Sequence, residues 1–566
     1  MLFLLLKFLY ILLLSIPYGV SAFAGWYRYA CRQPGGVYSF PLVTLSGLMI
    51  CGVIASWLSL VMPLAGLANV LILTGGLLLW GLQRKAIHTA VKRWRQQMGQ
   101  QPVIIKAVFL LLLVFALYLS SRQSLAYDEG LYYIQFIKWM QQYPVVPGLA
   151  NLHERFGFNS HWHVISALFN GSFISGQAVN QLNGLLYLLV AVYLLSALGA
   201  APRDISWWMK AGLLLGMHLP MVLVYNMTAP AADMAVFYLC ALLLVLWMEA
   251  IADSNGEPAE GDRFFIFLCA AFLVTVKVSA LTVLLLPAWL WIRAIRTGAW
   301  RQALTLVLLF VLILLPWLAR NVILSGYLVY PFEKIDLFSF DWKCPSPGVT
   351  KVREIIKIWA YYLVRDPAAL NAATFQERVR IWFLHNLRIY DQAMLLAMLL
   401  LPFAIWWRRK VLPRGLFYWV LFLYAGAGFW FLSAPDPRFA YGFLVPACIL
   451  LGYLLLMNVR SLRYIQLLII LALLAMQTGT LLLYGHLHRQ FLQMGAIEPV
   501  VGTSWCMPVP YFEKKVVRHT TPFIYYTPVN SDRCWDAPLP CTWQLPEGVE
   551  KRGQTLGDGF RVHLKH

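Results

Sequence analysis

The sequence predicts an all-α polytopic membrane protein with about 14 transmembrane helices, loops on the outer face and a small external C-terminal region of a few strands. Hydrophobic residues make up 60% of the 566 residues and charged residues only 12%, and the mean hydropathy is +0.66. Many apolar runs approach roughly twenty residues, the length that crosses a bilayer. These observations exclude a soluble globular domain.

Hydropathy places the candidate spans one by one along the chain. Each run is about as long as the bilayer is thick, and short polar or basic links separate most of them. The segment 163–177 is too short to cross comfortably, so we expect it to be interfacial or re-entrant. The approximate centres of the spans are residues 11, 52, 74, 112, 190, 216, 241, 272, 287, 311, 400, 425, 448 and 473.

Basic residues set the predicted orientation. The formal net charge is +20, but Lys and Arg cluster in the short links, as the positive-inside rule requires of cytoplasmic loops. This placement argues against a nucleic-acid partner and is compatible with contact to membrane lipid. If all of these links are cytoplasmic, both termini lie outside. The links contain Arg28, Arg32, Arg84, Lys85, Lys92, Arg93, Arg95, Arg293, Arg296, Arg301, Arg408, Arg409, Lys410, Arg414, Arg460 and Arg463.

Residues 1–24 allow two interpretations. Residues 2–20 form an apolar run, and the Ala22-Phe23-Ala24 that follows resembles the cleavage site of a signal peptide. Cleavage would place the basic link 84–95 outside, against the charge rule. We therefore expect a retained first helix, with cleavage as the alternative.

The predicted spans divide the chain into three regions. Residues 1–102 hold the N-terminal helices, residues 103–485 form a core with outer loops 120–178 and 331–392, and residues 486–566 are external. Four of the nine cysteines fall in the outer parts, where an oxidising compartment favours disulfides, although some of them can be free. No C-x-x-C spacing indicates zinc. The disulfide candidates are Cys344, Cys506, Cys534 and Cys541.

An acidic pair stands at the mouth of the first large outer loop. In residues 127–133 (YDEGLYY), Asp128 and Glu129 follow the apolar run of residues 103–121. Carboxylates beside lipid are costly and tend to be functional. Because Asp128 can cap a helix, we expect a helix that runs to about Gln142 and lies in the interface plane.

Several segments follow one another along residues 103–460. They are the Asp128-Glu129 pair, residues 225–233 (YNMTAPAAD), residues 316–321 (PWLARN) with Gly326 and Tyr330-Pro331, and residues 434–439 (APDPRF). Taken in order, these segments resemble the GT-C superfamily of integral-membrane glycosyltransferases, which includes protein O-mannosyltransferases and lipid A aminoarabinose transferases. One further segment, residues 146–160 (VPGLANLHERFGFNS), is similar to an uncharacterised bacterial group of GT-C-like membrane proteins.

This resemblance implies a GT-C-like catalytic core over residues 103–485 in a bacterial inner membrane, with the active site on the periplasmic face. The implied donor is a polyprenyl-phosphate-linked sugar, and the acceptor is a glycan, a lipid or a protein. Two other classes stay open. One is a polytopic transporter or flippase of a lipid-linked glycan, and the other is an O-antigen polymerase or ligase.

The residues of the candidate site take roles from this expected chemistry. Asp128 and Glu129 diverge by about 100° on a helix, so we expect one to be the catalytic base. The other orients the acceptor, binds a divalent cation or caps the helix. Lys277, Arg320 and Arg438 are expected at the outer membrane level, where they would bind the donor phosphate, snorkel to headgroups or form ion pairs.

Two further sets of polar residues are candidates. Asp233 opens a later span, where it would contact substrate or cap a helix. A cluster of polar residues in the first outer loop, which we call the loop cluster, would bind substrate, pack the loop or, less in keeping with its spacing, hold a metal. The sequence requires no cofactor, and a divalent cation is the one candidate. The loop cluster consists of His153, Glu154, Arg155, His161 and His163.

Overall fold

The computed structural model describes residues 1–33, 36, 39–175, 179, 182–199, 204–252, 258–361, 372–413, 415–457, 464–497 and 515–563. The described residues are mainly helical. Their α-helices are α1 Leu2–Gly25, α2 Phe40–Leu58, α3 Gly66–Leu82, α4 Arg84–Gln100, α5 Val103–Ser120, α6 Ile134–Gln142, α7 Leu149–Leu152, α8 His161–Phe169, α9 Ser172–Ser175, α10 Leu182–Leu198, α11 Ile205–Gly216, α12 Pro220–Asn226, α13 Ala232–Ala252, α14 Glu260–Val276, α15 Leu285–Arg296, α16 Trp300–Ser325, α17 Ser346–Trp359, α18 Phe375–Ile381, α19 Ile389–Arg408, α20 Leu416–Ser433, α21 Tyr441–Leu456 and α22 Ile465–Gln493.

Short helical turns and four strands complete the described structure. The strands are β1 Val516–His519, β2 Tyr525–Pro528, β3 Val549–Lys551 and β4 Phe560–Val562. The π-helical turns are Trp26–Ala30, Glu129–Tyr133 and Trp382–Asn386, and the 3₁₀ turns are Glu154–Gly157, Val278–Leu284, Pro437–Phe439 and Leu556–Asp558.

The helices confirm a polytopic helical protein but not the predicted count of 14 spans. Among the described residues, 9 helices are long and apolar enough to cross a membrane, or up to 11 if each bent pair is one span. The bent pairs are α3 with α4, at 86°, and α11 with α12, at 58°. Two further apolar helices, α10 and α21, have only 17 and 16 residues. The chain is a multi-pass membrane protein.

The two ends of the helix bundle differ in charge. Helix α5 joins the basic helix α4 to the segment that carries Asp128, and its 18 residues separate the two by about 27 Å. Trp94 of α4 stacks on Phe40 at the start of α2, with ring centroids 4.9 Å apart. We call the two extremities the Asp128 end and the basic end. The strongly basic links at 293–301 and 408–410 also lie away from the Asp128 end. Residues 293–301 lead into α16, whose opposite end carries Arg320, and Arg408 ends α19, whose first turn bonds Tyr441 next to the turn that carries Arg438.

Helices α6 and α8 are buried, contrary to the prediction of interfacial segments. Every residue of α8 is buried, and so are six of the nine residues of α6. Gln141 of α6 donates from Nε2 to the Ala167 carbonyl of α8, 3.1 Å away. Protein therefore covers most of α6 and all of α8, so neither helix presents the lipid-facing surface of an interfacial helix. The re-entrant alternative for residues 163–177 stays a prediction, and α8, with nine residues, is too short to span a membrane.

The C-terminal region forms two antiparallel hairpin sheets, which confirms the predicted strands. Strand β1 pairs with β2 from Val516↔Pro528 to His519↔Tyr525, and β3 pairs with β4 from Val549↔Val562 to Lys551↔Phe560. A disulfide joins Cys534 to Cys541 between the two sheets.

The other two disulfide candidates have different outcomes. Cys344 is a free cysteine, because its thiol is buried in a small apolar cluster with Tyr327, Tyr330 and Val349. Its predicted role in a disulfide is therefore corrected for the part of the chain that the structure describes. Cys506 lies outside the described residues.

Candidate functional site

A network of ion pairs joins three parts of the chain at the Asp128 end. Asp233 lies in the first turn of α13, Lys277 follows α14, and Arg438 lies in the turn between α20 and α21. The Lys277 ammonium bonds Oδ1 of Asp233, and Arg438 Nε lies 3.7 Å from Oδ2 of the same carboxylate. Arg438 Nε also lies 2.9 Å from Oδ2 of Asp436. Asp233 therefore holds the two cations side by side.

Local structure positions the two cations. Pro435 and Pro437 surround Asp436 after α20 ends, and the Asp436 carboxylate accepts a bond from the Arg438 backbone N–H at 3.1 Å, which caps the 3₁₀ turn. The turn places the Phe439 ring 3.6 Å from the Lys277 ammonium and 5.0 Å from the Arg438 guanidinium carbon. Both distances suit a cation–π contact, so Phe439 forms an apolar wall of the cation site.

The charge of Lys277 depends on these neighbours. Burial lowers the pKa of Lys277 below its usual range, the Asp233 carboxylate opposes that effect, and Arg438 adds to it. Burial also lowers the pKa of Arg438, but the carboxylates of Asp436, Asp233 and Asp128 outweigh this effect and raise that pKa above its usual range. The Arg438 guanidinium therefore stays charged, whereas the Lys277 ammonium depends on Asp233 to keep its proton.

Asp128 faces this network. Its carboxylate acts electrostatically on Arg438 and on the hydroxyls of Tyr132 and Tyr133. It is partly exposed and makes no capping bond to the turn that follows, so the predicted capping role is not realised. Glu129 is fully buried. The two neighbouring carboxylates have different surroundings, and Asp128 is the one whose charge acts on Arg438.

The C-terminal region packs on the segment that carries Asp128. The Trp535 backbone N–H donates to the Gly130 carbonyl at 2.9 Å, and Gln135 Nε2 donates to the Trp535 carbonyl at 2.9 Å. Lys138 bonds Asp536 at 2.9 Å. A Cβ on Gly130 would lie 2.5 Å from the Trp535 indole, so only glycine fits there. These contacts hold the π-helical turn Glu129–Tyr133 against residues 534–541, which the Cys534–Cys541 bond closes into a loop that we call the disulfide loop.

Three aromatic side chains beside the segment that carries Asp128 were not singled out from the sequence. Tyr132 and Tyr133 were given no role, and His163 was named only as a member of the loop cluster. The His163 ring lies 4.8 Å from the Tyr133 ring and 6.3 Å from the Tyr132 ring, and the two tyrosine rings are 4.5 Å apart. A sequence signal exists in residues 161–169 (HWHVISALF), where two histidines stand in an otherwise apolar helix.

Arg320 does not join the cation site. It is fully buried, and its guanidinium donates to Asn159 Oδ1 at 3.0 Å, to Ser59 Oγ at 2.6 Å and to Met140 Sδ at 3.2 Å. These partners tie α16 to α2 and α6. The predicted three-cation phosphate site therefore loses Arg320, which is a structural residue, and keeps Lys277 and Arg438.

His161 is likewise part of the packed interior. Its Nε2 lies 2.8 Å from Ser56 Oγ and its Nδ1 lies 2.7 Å from Thr275 Oγ1, so both ring nitrogens have partners. It is completely buried. The predicted substrate contact is corrected, because no nitrogen of this ring is left to bind a ligand.

The remaining loop residues lie beside the network rather than within it. His153 accepts from the Arg155 backbone N–H at 3.1 Å and packs on Phe156. The Arg155 guanidinium lies 5.5 Å from the Phe158 ring and acts electrostatically on Tyr132. Glu154 is more exposed than its neighbours.

The candidate divalent cation finds no cluster of ligands. Among the described residues, no group of three or more His, Cys, Asp and Glu side chains is arranged to hold a metal ion. Asp233 and Asp436 instead pair with cationic side chains.

A family model for the domain of unknown function DUF8201 matches residues 1–445. The chain belongs to the DUF8201 family. The DUF8201 match contains Asp128, Asp233, Lys277, Asp436 and Arg438, so the whole ion-pair network lies within the family segment. The strands and the Cys534–Cys541 disulfide lie beyond it. No curated protein and no solved structure matches this DUF8201 protein.

Proposed function

We propose that this DUF8201 protein is a membrane-embedded glycosyltransferase that moves a sugar from a polyprenyl-phosphate donor to an acceptor glycan, lipid or protein. The observation that carries the proposal is the pair of partly exposed cations, Lys277 and Arg438, which Asp233 holds at the end of the bundle where the Asp128 carboxylate acts electrostatically on Arg438. In the proposed reaction, Asp128 is the base for an acceptor and the two cations are the counter-charge for a leaving phosphate.

The proposed reaction is a single displacement. The Asp128 carboxylate takes the proton of an acceptor hydroxyl or amine, and the freed electron pair attacks the anomeric carbon of the donor sugar. The bond from that carbon to the phosphate oxygen breaks, and its electron pair stays on the polyprenyl phosphate. Lys277 and Arg438 stabilise the negative charge that develops there.

Exposure supports these roles for the two cations. The Arg438 side chain is 47% exposed and that of Lys277 is 29% exposed, whereas Asp233, which holds them, is only 10% exposed. A phosphate can therefore approach the cations from the open side while Asp233 stays behind them. Asp436 shares that open side, at 25% exposure, and the phosphate would compete with it for Arg438.

Two independent features support an active site on the external face of a bacterial inner membrane. The disulfide loop packs on residues next to Asp128, and disulfides form in oxidising compartments. The basic links lie at the opposite end of the bundle, which the positive-inside rule assigns to the cytoplasm.

One observation favours a second function, the transport or flipping of a lipid-linked glycan. Asp233, Lys277, Arg438 and Asp436 pair with one another, and partly buried ion pairs of this kind also occur in membrane transporters. A transporter would need these pairs to exchange partners but would need no base at Asp128.

The test uses the purified chain in sealed vesicles with a panel of polyprenyl-phosphate sugars and an extract of envelope acceptors. The proposal expects labelled sugar on an acceptor and release of free polyprenyl phosphate. Movement of the labelled lipid between leaflets without sugar transfer would support the transporter instead. Deleting the gene and finding which glycan or lipid the cells no longer make would identify the acceptor.

A further inference from the structure

His163 is a buried side chain whose ring nitrogens take part in no hydrogen bond with the described residues. It is 2% exposed, and neither ring nitrogen has a hydrogen-bond partner among the described residues. Buried polar atoms are nearly always satisfied by protein, water or ligand. His161, two positions earlier on the same helix, has partners for both nitrogens. The contrast indicates that the two ring nitrogens of His163 are available to a partner other than the residues that the structure describes.

Helix α8 brings His163 close to the ion-pair network. At the start of α8, Ser160 Oγ donates to the Val276 carbonyl at 2.8 Å, which fastens the helix beside Lys277. From the other side, the rings of Tyr133 and Phe136 lie 4.8 Å and 6.0 Å from the imidazole. The imidazole thus lies between an aromatic wall and the part of the chain that carries the cations.

The chemistry of this position suits a neutral polar ligand. Burial lowers the pKa of His163 to about 3, the nearby Lys277 acts in the same direction and Asp233 opposes it, so the ring is neutral at physiological pH. A neutral imidazole offers one donor and one acceptor. Sugar hydroxyls both donate and accept, and the faces of sugar rings pack on aromatic side chains such as Tyr133. A phosphate would prefer the charged groups of Lys277 and Arg438.

We propose that His163, with the aromatic wall of Tyr133, binds the sugar of a lipid-linked donor while Lys277 and Arg438 bind its phosphate. This inference rests on the proposed function. Asp128 acts electrostatically on Tyr133 and on Arg438, one residue from each half of the proposed site. His163 would then contribute to the choice of sugar.

The experiment compares two probes on the full chain in lipid nanodiscs. One probe is undecaprenyl phosphate without a sugar, and the other is a panel of the same lipid carrying mannose, glucose, galactose or aminoarabinose. His163→Phe should weaken binding of the preferred sugar-bearing lipid by roughly three- to tenfold, the range for one neutral hydrogen bond, and leave the sugar-free lipid unchanged. Lys277→Gln should weaken both probes.

Two controls separate binding from folding. His163→Gln keeps a donor and an acceptor and should recover part of the affinity for the sugar-bearing lipid. The unfolding temperature of each variant shows whether the buried substitution is tolerated. If His163→Phe does not fold, Tyr133→Leu, which removes the aromatic ring, tests the same half of the site and should also weaken only the sugar-bearing lipid.

Each result has a definite reading. Equal losses for both probes, or no loss for either, would overturn the sugar-binding role of His163 and leave the proposed function standing. A wild-type chain that binds neither probe would overturn the proposed function and this inference with it.

Discussion

Two arginines at the Asp128 end differ in the surroundings of their guanidinium groups. Arg320 is fully buried and bonds the neutral partners Asn159, Ser59 and Met140, whereas Arg438 is half exposed and bonds carboxylates. Donors to neutral buried partners hold helices together, and an accessible cation can exchange its partner for a ligand. The two residues should therefore respond to substitution in opposite ways.

Arg438→Gln should weaken binding of undecaprenyl phosphate by about 1–3 kcal/mol and leave the unfolding temperature nearly unchanged, because one charge-assisted contact is lost from an open site. Titration of the lipid into nanodiscs measures the affinity. The uncharged alcohol of the same length is the control, and its binding should not respond to the substitution.

Arg320→Met should lower the free energy of unfolding by about 2–4 kcal/mol, because Asn159 and Ser59 lose a buried donor. Thermal unfolding in detergent measures this effect, and the folded fraction should bind undecaprenyl phosphate as the wild type does. Weakened binding at unchanged stability would return Arg320 to the phosphate site.

Asp128→Asn should reduce sugar transfer by ~10²-fold or more, since an amide cannot accept the acceptor's proton, while the similar shape keeps the fold. Transfer assays with the panel of polyprenyl-phosphate sugars measure the rate. Asp336→Asn, which changes an exposed acid in a separate loop at the same end, is the matched control. Near-normal transfer by the Asp128→Asn and Glu129→Gln double variant would remove the carboxylate mechanism.

At the scale of elements, the disulfide loop packs as one unit with the π-helical turn Glu129–Tyr133, which we call the acidic turn. Trp535 and Asp536 lie inside the loop that Cys534 and Cys541 close, and they contact Gly130 and Lys138. The sequence separation of the two cysteines is only 7. A crosslink of that length limits the freedom of the unfolded loop and so stabilises its folded position.

Replacing both cysteines by serine should lower the stability of the C-terminal region by about 2–3 kcal/mol, from the entropy of closing a short loop. Limited proteolysis of residues 515–563 should speed up accordingly, and sugar transfer should fall because the acidic turn loses its cover. Cys344→Ser, which changes a free cysteine, is the control. Proteolysis that is equally slow in both variants would show that the strands alone hold the region.

At the scale of the whole molecule, charge and disulfide support the same proposed orientation. The positive-inside rule favours a cytoplasmic basic end, and the disulfide packs beside Asp128 at the other end. The two signals are independent, because one concerns insertion into the membrane and the other concerns the redox state of a compartment.

A reporter enzyme that is active only outside the cytoplasm should therefore be active when joined after residue 566 and inactive when joined after residue 100. Colony assays of the two fusions give the answer. The opposite pattern would place Asp128 in the cytoplasm and would remove the external donor site from consideration.

Sequence reasoning found the helices better than their boundaries and bends. Each predicted span centre falls in an α-helix, because apolar length is a local property. The 86° bend between α3 and α4 follows Leu82, and neither a proline nor a run of glycines at that position predicts a bend. Short apolar helices such as α10 were counted as spans because composition alone does not reveal their length.

The candidate site was predictable only in part. Asp128, Lys277 and Arg438 stood out because charges beside apolar runs are rare. Arg320 stood out for the same reason, but its partner Asn159 is 161 residues away and no local pattern reveals it. The difference between His161 and His163 likewise depends on whether Ser56 and Thr275 reach the ring, which only the fold decides.

The contact between Gly130 and Trp535 joins a position inside the DUF8201 match to one outside it. A side chain at position 130 cannot coexist with an indole at position 535, so the two sites are expected to change together during evolution. Family members whose C-terminal regions lack a bulky aromatic at this place would be released from the constraint and could accept alanine or serine after the acidic pair. Residue 130 thus becomes a marker, readable from sequence alone, of which relatives carry a tail that docks in this way.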